Sequence, residues 1–367
     1  MCLCAKVHTQ KYRVCLCAHV RLHPPVCAQF PFLDTESVSA LLASVDTHAF
    51  LQSMADAFRA FADREHGGVI QPLRSTISIP TEDAFFKIMP AYTSTVPAMG
   101  VKLVTFFPKQ PHALQSILHL FDPVTGNPMC LMAADPITTN RTAVCSVVAA
   151  QALLPVAGAQ RCKDPKEVAG WTVAVFGTGT QAFSHVKFLA KTFPGEISTF
   201  RVVSRDQQRA QGFVERIQHH LQTCCEDFSH LEWVATTCGK EACDGAAVVV
   251  TATVAIEPVV LGSWLSPATC ILSVGACRPH WRELDDAVME RVVVVADSVE
   301  GATQEAGDIV QTNTPVSAEL GRLLLGDEKG LESFKDGTKD ILLFKNLGMA
   351  IADICTGILI YNKWKDS

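Results

Sequence analysis

The stretch 173–182, VAVFGTGTQA, limits the fold more than any other part of the chain. A short apolar run ends in Gly177-Thr178-Gly179-Thr180-Gln181-Ala182, which reads as a buried strand turning at once into a helix. The first glycine permits the tight turn. The second lets backbone amides approach a ligand, and the small third residue lets the helix lie close to the strand. The helix start adds unpaired N–H groups and the positive end of its dipole, which suit a pyrophosphate. Alone the pattern is weak, but it opens a long alternation. From Trp171 the chain reads WTVAVFG, a helix from Thr180 to Phe193, STFRVVSR, a helix over 207–222, LEWVATT, GAAVVVTAT, TCILSVGA and RVVVVAD. That rhythm requires parallel strands joined by crossover helices. It predicts a dinucleotide-binding domain of the Rossmann type over 161–312.

The second strand of that domain bears on which dinucleotide binds. An acid at its end would bond a ribose 2′-hydroxyl. Here the strand ends in Ser204-Arg205-Asp206. Serine holds the usual acid position and Arg205 can pair with a 2′-phosphate, so NADPH is expected. If Asp206 serves the ribose instead, NADH is the cofactor. Thr253 and Val274, at the ends of later strands, are counted with the cofactor-binding residues.

At 367 residues, with 48% hydrophobic and 19% charged residues, the chain can bury two domain cores. Asp34-Thr35 can cap a short helix, and Phe50, Leu51, Met54, Ala55, Phe58 and Phe61 fall at helical spacing. Residues 69–132 read as strands with a hairpin turn at Asp122–Gly126, followed by a helix over 138–154. Residues 161–170 read as a polar linker, and the apolar stretch 345–364 as a helix docked on the first domain. The expected architecture is α/β: a substrate-binding and dimerisation domain of α+β type formed by 31–160 and 313–367, interrupted by the Rossmann domain.

The net charge of −6 gives no sign of a nucleic-acid partner. No apolar run approaches the roughly 20 residues of a membrane span. Five of the fifteen cysteines lie in the first thirty residues, and none has the paired spacing of a zinc site. Residues 1–30 are expected to be a disordered extension. The cytoplasm is the expected location, with organelle targeting by that acid-free segment left open.

The stretches GGVIQPLR (67–74), MPAY (89–92), VKLVTF (101–106), FGTGTQAFSH (176–185), GACRPHWRELDD (275–286) and FKNLGMAIAD (344–353) together resemble the ornithine cyclodeaminase/mu-crystallin family, nearest to its ketimine reductases. The resemblance implies a homodimer with its active site in the cleft between the two domains. It also implies that Arg74, Lys102 and Arg141 surround a substrate carboxylate. Each is otherwise an ordinary salt-bridge partner. Lys102 stands out because an unpaired charge inside an apolar strand is costly. The chain departs from the family at Met132-Ala133-Ala134-Asp135-Pro136, where Met-Asp-Gly is common, so Asp135 is the only acid left there.

Another departure concerns chemistry. Ornithine cyclodeaminases resemble this chain around 275–278 but carry an aspartate where Cys277 stands. A thiol is a poor base for an amine, whereas reduction of a preformed C=N bond needs only a small polar neighbour. Lys102 and Cys277 are therefore the candidate catalytic residues. His280 reads as solvent-facing, and RELDD (282–286) as the solvated start of a helix. The sequence favours NADPH-dependent reduction of cyclic ketimine carboxylates. The competing readings are ornithine cyclodeamination, another amino-acid dehydrogenation, or non-catalytic binding of a small hormone-like molecule.

Overall fold

The computed structural model describes residues 30–63, 66–158, 170–224 and 226–367. The expectations placed on the N-terminal segment and on most of the 161–170 linker fall outside these residues.

The first sheet contains β1 (Phe32–Leu33), β2 (Val69–Ile70), β3 (Ser75–Ile79), β4 (Ala84–Thr93), β5 (Ala98–Phe106), β6 (Leu114–Phe121) and β7 (Pro128–Ala133). Its order is β1-β7-β6-β5-β4-β2, with β3 also paired to β4. The β4–β5, β5–β6 and β6–β7 pairs are antiparallel. Period-two alternation gives this sheet two unlike faces. The buried face holds Met89, Ala91, Leu118, Leu120, Cys130 and Met132. The other face carries Ile88, Tyr92, Met99, Val101, Leu103 and Ile117, all partly or fully exposed.

Helices α1 (Thr35–Ala43), α2 (Thr47–Ala62) and α3 (Asp135–Leu153) accompany this sheet. Asp34 and Asp46 cap the first two by accepting from Ser37 and Ala49 backbone N–H at 2.8 Å each.

From β8 (Trp171–Phe176) the chain alternates through α4 (Thr180–Thr192), β9 (Ile197–Val203), α5 (Gln207–Gln222), β10 (Glu232–Thr236), α6 (Gly239–Cys243) and β11 (Ala246–Thr251). Then come β12 (Cys270–Ser273), α7 (Asp286–Arg291), β13 (Val292–Ala296), α8 (Val299–Glu305), α9 (Gly307–Thr312), β14 (Val316–Glu319), α10 (Leu320–Leu324), α11 (Glu332–Lys335), β15 (Ile341–Lys345) and α12 (Ala350–Lys365). The eight strands form one sheet ordered β10-β9-β8-β11-β12-β15-β13-β14. Every pairing in it is parallel. This is the expected α/β class, a Rossmann-type sheet with a second, mostly antiparallel layer.

Two expectations are corrected here. The stretch 345–364 is not one helix. Ile341–Lys345 is a fully buried strand inserted between β12 and β13, and the helix begins only at Ala350. Residues 313–367 therefore do not belong as a block with the first sheet, since β14 and β15 complete the parallel one. The all-apolar run ILLF fits a strand buried on both faces, a pattern that periodicity alone cannot separate from a buried helix. Two elements of 313–367 do reach the first layer: α12 packs on its sheet, where Ile354 meets Gly100 and Gly357 lies against Leu118, and α10 packs on α2, where Gly321 lies against Phe58.

Candidate active site

Four cations and two carboxylates meet where α12, β4, β5, α3 and α8 converge. Lys102 projects from the buried face of β5 and is 1% exposed, while Arg141 on α3 is 3% exposed. Both bond the same oxygen of Asp353 on α12, Lys102 Nζ at 2.7 Å and Arg141 Nε at 2.8 Å. The charge in the apolar strand is thus paired after all. Pairing is incomplete, however. Arg141 Nη1 and Asp353 Oδ2 are buried and have no hydrogen-bond partner among the described residues. Burial pushes the Lys102 ammonium down to about 7, with Asp353 opposing and Arg141 reinforcing the shift.

Arg74, just before β3, forms the second half. Its Nε donates to Glu305 Oε1 at 2.7 Å and its Nη1 to the Leu347 carbonyl at 3.0 Å. Lys87 on β4 donates to the other Glu305 oxygen at 2.8 Å. Burial favours the neutral form of Glu305, but these two cations hold it below the ordinary glutamate range. Burial and the neighbouring Arg74 push Lys87 down. The two halves share Gly348. Its carbonyl accepts from Arg74 Nη1 at 3.3 Å, and a Cβ placed on it would stand 2.3 Å from Arg141 Nη1. Asp297 fixes this turn by accepting the Leu347 and Gly348 N–H groups at 2.8 and 2.6 Å. A narrow cleft opens here, lined by Gln71, Arg74, Met89, Asp297, Glu305 and Gly348 among others.

The structure therefore brings Arg74, Lys102 and Arg141 together. Lys87, Glu305 and Asp353 escaped sequence reasoning. The signal for Asp353 was present: it is a lone acid in the apolar run AIADICTGILI, the counterpart of Lys102 in its apolar strand. Asp135 is engaged elsewhere, accepting from Ser116 Oγ at 2.6 Å at the start of α3.

The glycine turn adjoins this cluster. Gly177 has φ of +118°, and a Cβ there would meet the Ala252 carbonyl at 2.6 Å. Gly179 is the N-cap of α4 and has open space around it. Ala182 is fully buried. A backbone ready to be approached closely and a thirteen-residue helix without a side-chain cap fit a pyrophosphate group. Thr138 links the two regions, since its hydroxyl accepts from Lys102 at 3.3 Å and its carbonyl from Gln181 Nε2 at 3.4 Å.

At the end of β9, Ser204 is half-buried and Arg205 exposed. Asp206 caps α5, accepting from Gln208 and Arg209 N–H at 2.8 and 3.2 Å.

Cys277 is half-buried. Its loop is tied across to the first sheet by Arg278. That side chain donates to Asp83 at 2.9 Å and lies 4.9 Å from the Phe85 and Phe106 ring centres. His280 is exposed, as expected. RELDD is not a solvated helix start: Glu283 is fully buried and α7 begins at Asp286, capped by Asp285. Four hydroxyl or amide donors lie within reach of the Glu283 carboxylate, which stabilises an acid that a helix start would expose.

The profile of the ornithine cyclodeaminase/mu-crystallin family matches residues 35–367. The chain belongs to this family. Among its relatives, the ketimine reductase mu-crystallin of Mus musculus is 31% identical over 337 residues, covering 91% of this chain and 97% of the relative. The Delta(1)-pyrroline-2-carboxylate reductase of Bacillus cereus is 28% identical over 323 residues, covering 84% and 90%. The solved Thermococcus litoralis Delta(1)-pyrroline-2-carboxylate reductase, in complex with NADH and L-proline, superposes with a TM-score of 0.78 at 28% identity, covering 91% of this chain and 97% of that one. Among the described residues, no helix of this family member is long and apolar enough to cross a membrane.

Proposed function

We propose that this oxidoreductase reduces the C=N bond of cyclic ketimine carboxylates with NADPH. The observation that carries the reading is the buried Arg141 guanidinium. It is anchored through Nε to Asp353, leaves Nη1 unpartnered, and lies against the bare Cα of Gly348. A buried N–H without an acceptor is costly, and a substrate carboxylate supplies the acceptor. Lys102 adds a second charge to that anion. Arg74, held by Glu305 and two carbonyls, is set to orient the same group from the far side of Gly348. Fixing the carboxylate fixes the adjacent imine carbon, which is the positional part of catalysis.

Gly177–Ala182 would hold the dinucleotide, which would supply the hydride. The residues of this chain hold, orient and exclude water. Cys277 provides a small, weakly polar wall beside the imine nitrogen. The cleft does contain two carboxylates, but both Glu305 oxygens are in ion pairs and both Asp297 oxygens accept backbone N–H groups, so neither is a free base for an amine. This favours imine reduction over ornithine cyclodeamination. NADPH is preferred over NADH because the Asp206 carboxylate is engaged in capping α5, leaving Ser204 and Arg205 to meet the ribose.

The cofactor and substrate domains of this reading share one cleft, and a homodimer covers the outer face of the first sheet. Cross-strand pairing lines up Ile88, Leu103 and Ile117, and likewise Tyr92 and Met99, into one apolar patch on that face.

The test is a side-by-side assay. Δ1-Pyrroline-2-carboxylate and a six-membered analogue with NADPH should give cofactor oxidation, and ornithine with NAD+ should give no ammonia. Proline and ammonia from ornithine, without ketimine turnover, overturn the reading.

A further inference from the structure

A second group of buried charges lies beneath the loop that carries Cys277. Glu283, Asp308 and Lys345 are all fully buried. Glu283 Oε1 accepts from the Thr253 N–H and from the Thr253 hydroxyl at 2.7 Å each, and Oε2 accepts from the Thr251 hydroxyl at 2.8 Å. Asp308 Oδ1 accepts the N–H groups of Glu283 and Leu284 at 2.8 and 3.0 Å. Lys345 donates to Ser273 Oγ at 3.0 Å, to Asp308 Oδ2 at 3.3 Å, and to the Gly275 carbonyl. Gly275 rests directly on the Glu283 carboxylate, for a Cβ there would be 2.3 Å from it. Two carboxylates and one ammonium in a dry site are a costly way to pin a loop that apolar packing could hold. The arrangement therefore points to a demand for exact placement.

Sheet order says what is placed. β8 leads into the glycine turn, and its neighbours are β9 on one side and β11 on the other, with β12 beyond. Ligands of such sheets lie outside the carboxyl ends of the strands. A dinucleotide held with its pyrophosphate at the turn and its adenosine towards Ser204 and Arg205 would have its nicotinamide half at the ends of β11 and β12. Those ends are Thr251–Thr253 and Ser273–Gly275, the segments that Glu283 ties together. Ala252, between the two threonines, presses on Gly177 itself.

We propose that Glu283 is a positioning residue for the nicotinamide half of the cofactor, acting through Thr253 and the 273–277 backbone. This rests on the dinucleotide reading above. Glu283→Gln removes the charge and keeps the shape. Thr253→Val keeps the volume and removes the hydroxyl donor. Both variants and the unaltered protein are titrated with NADPH and NADH while the fluorescence of the bound cofactor is followed. Affinity should change by less than about threefold, because the adenosine and pyrophosphate contacts remain. The emission of the bound nicotinamide should move towards that of free cofactor, and kcat on Δ1-pyrroline-2-carboxylate should fall by about tenfold to a hundredfold.

Unchanged emission and kcat in folded Glu283→Gln overturn the proposal and leave the dinucleotide reading intact. Where Glu283→Gln does not fold, the same result in Thr253→Val decides. Affinity lost in step with melting temperature, with unaltered emission of the cofactor still bound, also overturns it, because the network then only holds the fold. Unaltered protein that binds neither cofactor refutes the underlying reading, and this proposal with it.

Discussion

Gly348→Ala probes the geometry at the centre of the site. Gly348 has φ of +84°, in the region that L side chains rarely adopt, and an added Cβ would stand 2.3 and 2.5 Å from the two terminal nitrogens of Arg141. Ordinary contact is about 3.5 Å, so the guanidinium has to retreat by about 1 Å. It has little room to do so, being 4% exposed in its side chain and bonded to Asp353 at 2.8 Å. Two costs follow. The left-handed backbone costs alanine about 1–2 kcal/mol. Loosening a charged hydrogen bond adds about 1.5–3 kcal/mol. Together they lower the melting temperature by about 5–20 °C at about 2–4 °C per kcal/mol. The catalytic effect is larger, since a displacement of about 1 Å in a positioning group costs about a hundredfold. The assay is kcat/KM for Δ1-pyrroline-2-carboxylate, with cofactor affinity measured in parallel and expected to stay within about twofold of the unaltered protein. Gly126→Ala is the control. Its φ is +72° with nothing within 4 Å of an added Cβ, so it carries the backbone strain without the displacement. Folded Gly348→Ala protein with full kcat/KM would refute a substrate-binding role for Arg141.

The remaining tests address cofactor, chemistry and assembly. Arg205→Ala should weaken NADPH binding by about 1.5–3 kcal/mol and leave NADH nearly unchanged, and equal losses would show that Arg205 does not read the phosphate. Cys277→Ser should keep kcat/KM within about threefold, whereas Lys102→Ala should lose about tenfold to a hundredfold, the range for a charged hydrogen bond; the reverse order would refute both assignments. With its ammonium pushed down to about 7, Lys102 is charged below that pH, so kcat/KM for a carboxylate substrate should fall as pH rises through about 7. In Lys102→Ala that inflection should vanish, and its persistence would assign it to another group. The same depression makes the native state bind fewer protons than the unfolded chain between about 7 and 10.5, so the stability cost it imposes is relieved as pH rises across that window. Light scattering should give a dimer mass at micromolar concentration, and Leu103→Glu on the outer sheet face should give a monomer; a monomeric unaltered protein removes the dimer.

Much of the parallel sheet was legible because its strands are apolar runs punctuated by glycine turns and capped helices. α5 even falls at its expected bounds, fixed by Asp206 at its start. β15 was not legible, since ILLFK followed by NLGMAIAD offers apolar residues at any period. Lys102 drew attention as a charge in an apolar strand, and Arg74 through a family-like motif. Their counterions did not, because Glu305 and Asp353 lie 231 and 251 residues away in sequence from the cations they bind. Glu283 was misread for a related reason. An acid before a helix is normally a surface signal, and only the threonine donors from β11 show that this one is inside.

β15 is the late arrival of this fold, yet it lies in the interior of the parallel sheet, between β12 and β13. On the ribosome, both edges of that gap are made before the strand that fills it. Lys102 likewise precedes its counterion Asp353 by 251 residues, an interval of about 10–50 s at ordinary synthesis rates. Throughout that interval the nascent chain carries cations whose buried partner does not yet exist, and from Ala296 until β15 is made it also carries two strand edges that await β15. The parallel sheet and the cationic pocket become complete within a few residues of each other, at Lys345 and Asp353. A chain stopped before residue 341 should therefore be a client for chaperones rather than a weakened enzyme.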